Sequence, residues 1–381
     1  MRIQPVFMIS LLLFAACTTD HKRESGFFVT HIGDDTLAVE SYQIDASGVQ
    51  GTSIIRTPRT TARHYSMTVN DQGLPESFSI DYGPVGAASQ ITRNYRFADD
   101  SVEVVTTQNG TTKTSSTKAA GRPYPLLTDV FGVWDYVIRH AEGPKGTREF
   151  TALFGNRALR YTTEGTVPGR LELLNPDSVF GPLYATVDSS SILQELDMRP
   201  TADKYLVERV PNLDIDALAK DFLAREQAGK GLGVLSPRDT VRAVVGGATI
   251  LVDYGRPTMR GRTIFGNIVP WNVVWRLGAN AATQLVTNKR LSFGRTIVLP
   301  GTYSLFAYPS KKGWKLIINF QHGQWGTVYN DSKDLARLAL KTKKLKNTVE
   351  QFTFELKGRG RNGVLSFKWE NTEASIPFSV R

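Results

Sequence analysis

Thr240-Val241-Arg242-Ala243-Val244-Val245-Gly246-Gly247-Ala248-Thr249-Ile250-Leu251-Val252-Asp253-Tyr254 sets two β-branched and apolar runs on either side of a Gly-Gly pair. A two-residue hairpin turn needs positive φ at both central positions, and glycine reaches it without steric cost. The stretch therefore predicts a tight antiparallel hairpin, Thr240–Val245 with Ala248–Tyr254. Runs of the same kind follow at Ala282–Thr287, Thr296–Leu299, Tyr303–Tyr308, Trp314–Asn319, Thr348–Leu356, Val364–Trp369 and Ala374–Val380. Pro300-Gly301 and Lys311-Lys312-Gly313 supply turns between them. Lys333–Lys346 has room for a helical turn and the charge of a solvated face.

Upstream, short runs recur about every ten residues, the spacing of an antiparallel meander. They are Phe28–Ile32, Leu37–Ile44, Val49–Arg56, His64–Val69, Phe78–Tyr82, Ile91–Phe97 and Val102–Thr107, with breaks such as Gly33-Asp34-Asp35 and Ala98-Asp99-Asp100. Asn109-Gly110 is a further hairpin signal, and Thr111–Thr117 reads as a polar edge strand. Val130, Val133, Trp134 and Val137 share one face of a short helix over Asp129–His140. Strands resume at Phe150–Phe154, Ala158–Thr163 and Leu183–Ser189. Asn212–Ala228 predicts a second helix, with Asn212 as its cap, Asp214 and Asp216 at the positive end of its dipole, and Gly229 and Gly231 ending it.

The expected fold is mainly β. An N-terminal antiparallel meander, a half-barrel or curved sheet over 26–210, is joined by a short helix and Gly-rich linker at 211–233 to a C-terminal β-sandwich-like domain at 234–381. Length fits two domains, with 381 residues of which 41% are hydrophobic. Charge divides the same way. Residues 1–233 carry 23 Lys/Arg and 28 Asp/Glu, a balance of −5, whereas 234–381 carry 23 and 8, a balance of +15. The second part is built to face anions.

Arg2 followed by the apolar run Val6–Ala16 is too short to span a bilayer, which takes about 20 residues, and has the length of a signal-peptide core. It ends Leu13-Phe14-Ala15-Ala16-Cys17. Small residues directly before a cysteine resemble the lipobox of bacterial lipoproteins, with Phe14 standing where a smaller aliphatic residue is commoner. The resemblance implies a signal peptide at 1–16, lipid on Cys17 and a polar tether at 17–25. The chain is then exported and anchored to the cell envelope, facing the periplasm. Its partners are the membrane and an anionic glycan, lipid head group or carboxylate, with no nucleic acid.

The densest polar stretch is Asp253-Tyr254-Gly255-Arg256-Pro257, Arg260-Gly261-Arg262, Ile264-Phe265-Gly266, Val274-Trp275-Arg276 and Gly278-Ala279-Asn280. Farther on come Pro300-Gly301-Thr302-Tyr303-Ser304-Leu305-Phe306, Gln324-Trp325-Gly326 and Trp369-Glu370-Asn371. On these elements residues 234–381 resemble Domain of Unknown Function 2911, a family of exported bacterial proteins. Leu277 and Trp271-Asn272 depart from its pattern, where Thr and Tyr-Gly are more usual. The resemblance fixes a domain and implies no activity.

An Arg- and Gly-rich segment between strands is a loop on a rigid scaffold, a common place for binding groups. Guanidinium forks from Arg256, Arg260, Arg262 and Arg276 can converge on a carboxylate or phosphate. Tyr254 and Trp275 can stack on a sugar ring, Asp253 can orient an arginine, and Asn280 lies beside them. The competing reading is structural, with Asp253 paired to an arginine, Trp275 in the core and the glycines serving turns. Nothing marks an enzyme: no nucleophile–base pair and no phosphate loop occur. His21, His31, His64, His140 and His322 have no metal-ligand spacing, and no cofactor is implied. Two alternatives remain. One is a glycan hydrolase or transferase using Asp253 and, weakly, Glu370 as facing carboxylates roughly 5–9 Å apart. The other is a lipid carrier that holds acyl chains in a concave N-terminal sheet, which needs an apolar groove in place of a filled sandwich.

Overall fold

The structure is a computed structural model that describes residues 23–119, 121–141, 148–155, 157–175 and 181–381. The signal peptide at 1–16 and the lipidation of Cys17 lie outside the described residues. The expected tether ends sooner than 25, because Glu24 and Ser25 already pair with Ile44 and Gln43.

The first sheet begins with β1 (Glu24–Ile32), β2 (Asp35–Asp45), β3 (Gly48–Ile55), β4 (Thr61–Val69), β5 (Pro75–Pro84), β6 (Ile91–Phe97), β7 (Ser101–Gln108) and β8 (Thr111–Lys118). After helix α1 (Gly132–His140) come β9 (Arg148–Phe154), β10 (Arg157–Val167), β11 (Arg170–Leu174), β12 (Leu183–Val187), β13 (Leu193–Asp197) and β14 (Leu206–Val210). Among the described residues these form one antiparallel sheet in the order β8 to β1, then β14 down to β9. The two wings meet where β1 pairs β14, with Phe27 opposite Val210 and His31 opposite Leu206. β11, β13 and β14 were not read from sequence. Each has only five residues, too few for alternation to stand out.

Alternation along β2 turns Glu40, Tyr42 and Ile44 inward and Val39 outward. The inward side belongs to a core that includes Phe28, Tyr65, Phe78, Leu173, Leu193 and Val207 from both wings. Helix α1 fills the concavity. Gly132 through Ile138 are all buried, so this helix is covered all round and is not amphipathic in use. Helix α2 (Ile215–Gln227) packs on the outer face, where Ala219 and Phe222 meet Val39, Ile54 and Ala62. Its cap is Asp214, which accepts from the Ala217 N–H, and not Asn212. An Asp at this position supplies both the capping oxygen and a negative charge at the dipole's positive end. Arg56 lies 4.6 Å over the Phe222 ring, and Glu226 accepts from the Thr60 N–H at 2.6 Å.

The second sheet comprises β15 (Arg238–Val245), β16 (Ala248–Gly255), β17 (Thr283–Thr287), β18 (Leu291–Phe293), β19 (Thr296–Val298), β20 (Gly301–Tyr308), β21 (Trp314–Asn319), β22 (Asp334–Arg359) and β23 (Asn362–Val380). Their order is β15-β16-β17-β20-β21-β22-β23-β18-β19. The opening hairpin forms as read, with Val245 opposite Ala248 and positive φ at Gly246 and Gly247. Lys333–Lys346 is not helical beyond a short 3-10 turn at Asp331–Lys333. From Asp334 it is extended, because Leu338 and Leu340 pair with Leu316 and Trp314 of β21. The register of β22 against β23 breaks between Lys344 and Thr353. The strand bends there and returns over the sheet, with Gln351 bridging Thr258, and this gives the sandwich-like form. Trp275, Trp314, Phe352, Phe354, Phe367 and Trp369 fill the space enclosed. No helix among the described residues is long and apolar enough to cross a membrane.

Candidate functional site

The loop from Arg256 to Asn280 does not gather its guanidinium groups around one hollow. Asp253 accepts from Arg238 Nε at 2.9 Å. Arg256 donates to Asp239 at 2.9 Å and to Thr353 Oγ1 at 3.1 Å, which ties the end of β16 to β15 and β22. Arg260 is paired with Asp35 of the first sheet, and its carbonyl accepts from the Asp34 N–H at 3.0 Å. Arg262 folds onto its own loop, donating to the carbonyls of Met259 and Thr258, both at 2.8 Å. Asn280 is exposed on the surface.

Tyr254 and Trp275, read as stacking platforms, are core residues. Tyr254 is 0% exposed, and its hydroxyl accepts from the Phe354 N–H. Trp275 is 8% exposed and lies parallel to Trp369 at 5.9 Å. Packing against the aromatic cluster stabilises the second sheet and leaves neither ring a free face. The facing-carboxylate arrangement is absent too. Asp253 is held by Arg238, while Glu370 accepts from the N–H groups of Ile264 and Phe265. Neither lines the hollows described below.

The loop is a seam. Gly261 sits at φ +73°, and a Cβ there would collide with the Asp34 carboxylate. Gly261→Ala should therefore lower stability by about 1–3 kcal/mol, combining backbone strain with a broken contact to the first sheet. Urea unfolding of both chains checks this, and an unchanged midpoint would contradict the placement. Gly255 serves a second close approach, since a Cβ there would meet the Ala279 carbonyl oxygen at 2.3 Å.

Arg276 stands apart from the other arginines. It is half-buried against Gly326, and no hydrogen bond or ion pair engages its side chain among the described residues. Burial alone depresses its pKa. Lys204, next to β14 in the first sheet, lies within its electrostatic range. Burial, then Arg276 and Arg262, hold the Lys204 ammonium below its ordinary value. Burial likewise depresses Arg262 and raises the Asp203 carboxyl. Beside this corner is a hollow of about 500 Å³. Trp134, Phe154, Leu159, Leu173 and Met198 give it apolar walls, Asp203 a carboxyl, and Thr327 and Val328 of the second module one rim. Lys204 and this hollow carry no sequence signal, because they come together only when the two sheets dock. A larger hollow of about 1030 Å³ at another part of the first sheet is polar, and both arginines on its wall are ion-paired, Arg160 with Glu149 and Arg122 with Asp99.

The remaining positive charge is on the outside. Lys341, Lys343, Lys344 and Lys346 are exposed where β22 bends, and Lys311, Lys312 and Lys315 are exposed on the neighbouring β20–β21 turn and strand. None of the seven is in an ion pair among the described residues, although Lys343 stands opposite Glu373 in register.

No curated protein matches the chain. A solved crystal structure of an HCR/D mutant aligns over 95% of this chain and 89% of its own at 10% identity, with a TM-score of 0.14, too low for any inference of shared fold. Residues 236–378 match the model of the family described as Protein of unknown function (DUF2911), which identifies the second sheet as a domain of that kind.

Proposed function

We propose that this protein is a membrane-anchored envelope lipoprotein whose basic second domain holds an anionic envelope surface. The observation that carries the reading is the unpaired lysine group Lys311, Lys312, Lys315, Lys341, Lys343, Lys344 and Lys346. It replaces the arginine loop as the contact, since three of those four arginines are spent on internal partners. A lysine near an anionic leaflet contributes about 1 kcal/mol. Four to seven of them bind firmly at low salt and weakly once the Debye length falls to about 3 Å at 1 M. The surface is one of phosphates or carboxylates, and no chemistry is performed on it.

The test uses the chain from Thr18 onward, so that lipid makes no contribution. It should sediment with vesicles of phosphatidylglycerol and phosphatidylcholine at 50 mM salt and stay in solution at 500 mM. It should ignore vesicles of phosphatidylcholine alone. Replacing Lys341, Lys343, Lys344 and Lys346 together by Gln should lower vesicle binding at least tenfold without changing the unfolding midpoint. Salt-insensitive binding, or equal binding by the quadruple variant, would sink the reading.

A further inference from the structure

We infer that the hollow between the first sheet and the Thr327–Val328 rim is a binding site for a single-chain amphiphile with an anionic head. Its apolar part would lie against Phe154, Leu159 and Met198, and its head against Arg276 and Lys204. This goes beyond adhesion to an anionic surface and uses different residues.

Charge makes the first part of the argument. Arg276 and Arg262 stand close enough to Lys204 to oppose its protonation, and burial penalises the charge of all three. Like charges crowded in partly desolvated surroundings are unfavourable without a counter-ion. Asp203 is the acid beside Lys204, and burial raises its own pKa. Arg262 also has Glu350 and Asp35 within range, and Arg157 adds a further cation to the lining of the hollow.

Donor capacity makes the second part. Arg276 has five N–H donors and uses none on the described protein. Lys204 gives one of its three to the Arg199 carbonyl at 3.0 Å. Arg262 spends Nε and one terminal nitrogen on loop carbonyls, which leaves the other terminal nitrogen. A phosphate or carboxylate oxygen satisfies such donors, and a guanidinium fork suits it geometrically.

The hollow makes the third. About 500 Å³ lies in the range of small-molecule sites, which pair apolar walls with a few polar groups. Thr327 on its rim follows Gly326, the residue packed against Arg276, and Asp203 on its wall precedes Lys204. Arg276 and Lys204 are not on its wall themselves. Among the described residues α1 fills most of the first sheet's concavity and leaves no long buried groove of the acyl-carrier type. What remains suits one short apolar chain.

Isothermal titration of the chain from Thr18 onward tests the assignment with inorganic phosphate and with dodecyl phosphate and dodecyl maltoside, the two amphiphiles kept below their micellar concentrations. Dodecyl phosphate should bind one to one and more tightly than either of the others. Arg276→Gln and Lys204→Gln should each weaken it at least tenfold, and Thr327→Trp should block it by filling the mouth. Unfolding midpoints identify any variant that fails to fold, and the remaining variants then decide. The quadruple lysine variant should bind dodecyl phosphate as the parent does even as it leaves vesicles. Equal binding by Arg276→Gln and Lys204→Gln, or dodecyl maltoside binding as tightly as the phosphate, would overturn the site. Loss of dodecyl phosphate binding in the lysine variant would overturn it too, by moving the contact to the outer face.

Discussion

Asp135→Ala is expected to destabilise the protein by about 3–5 kcal/mol, the range for removing one partner of a buried ion pair. Asp135 sits in the middle of α1 and is 0% exposed. It accepts from the Tyr42 hydroxyl, from Arg139 Nε at 3.0 Å, from Arg209 Nη2 at 2.7 Å and from the Leu193 N–H at 2.8 Å. The carboxylate thus joins β2, β13 and β14 to the helix that fills the sheet. Without it, two guanidinium groups face each other with their shared acid gone, and a hydroxyl and a backbone N–H lose their acceptor. Asp135→Asn keeps the shape and loses the charge, so it should fall between the parent and the alanine variant. Urea unfolding followed by far-ultraviolet circular dichroism measures both. A loss under 1 kcal/mol for the alanine variant would mean that the network adds little.

Glu40 should make stability depend on pH in the opposite direction from most carboxylates. Its side chain is 2% exposed and accepts from the Tyr65 hydroxyl at 2.5 Å and from the Phe131 and Gly132 N–H groups at 2.6 and 2.9 Å. Burial outweighs these bonds and pushes its pKa up to about 7, from 4.5 when exposed. Between those values the folded chain binds the proton more tightly than the unfolded chain. The contribution is complete below about pH 4.5 and is lost as pH rises through 7. At about 1.4 kcal/mol per pKa unit, it amounts to roughly 3 kcal/mol. Glu40→Gln removes the titration. Between pH 5 and pH 8 the parent should lose about 2–3 kcal/mol relative to this variant. Parallel pH profiles for the two chains would refute the assignment. Asp129 and Asp203 also have raised values, so the difference between chains is the quantity to read.

The alternation of β and turn signals was legible because each long strand has one buried face. Ile91–Phe97 and Trp314–Asn319 begin and end as read. Thr111–Lys118 is the polar edge that its composition suggests, with an open flank beyond β8. What escaped reading depended on partners distant in sequence. Lys341 to Lys346 look like a solvated helix face until Leu338 and Leu340 are seen pairing with β21. Asp135 looks like a surface residue of an amphipathic helix, because no local pattern announces that Tyr42 and Arg209 will meet it. The arginine loop failed as a site for the same reason. Arg260 finds its acid, Asp35, on the other sheet, and Arg256 finds Asp239 on the neighbouring strand. Neither pairing is visible from the spacing within the loop.

The junction of β1 with β14 governs how the first module can be assembled. Every other strand pair in that sheet joins neighbours along the chain, so each wing can zip up locally. The junction instead brings together the two extremes of the module, and loop-closure entropy opposes it until both wings exist. As the chain emerges, β1 can pair with β2 while its other flank stays open, a bare edge until Leu206–Val210 arrives. During that interval the module is vulnerable to mispairing with another copy, and a folding helper that shields this flank would act on β1.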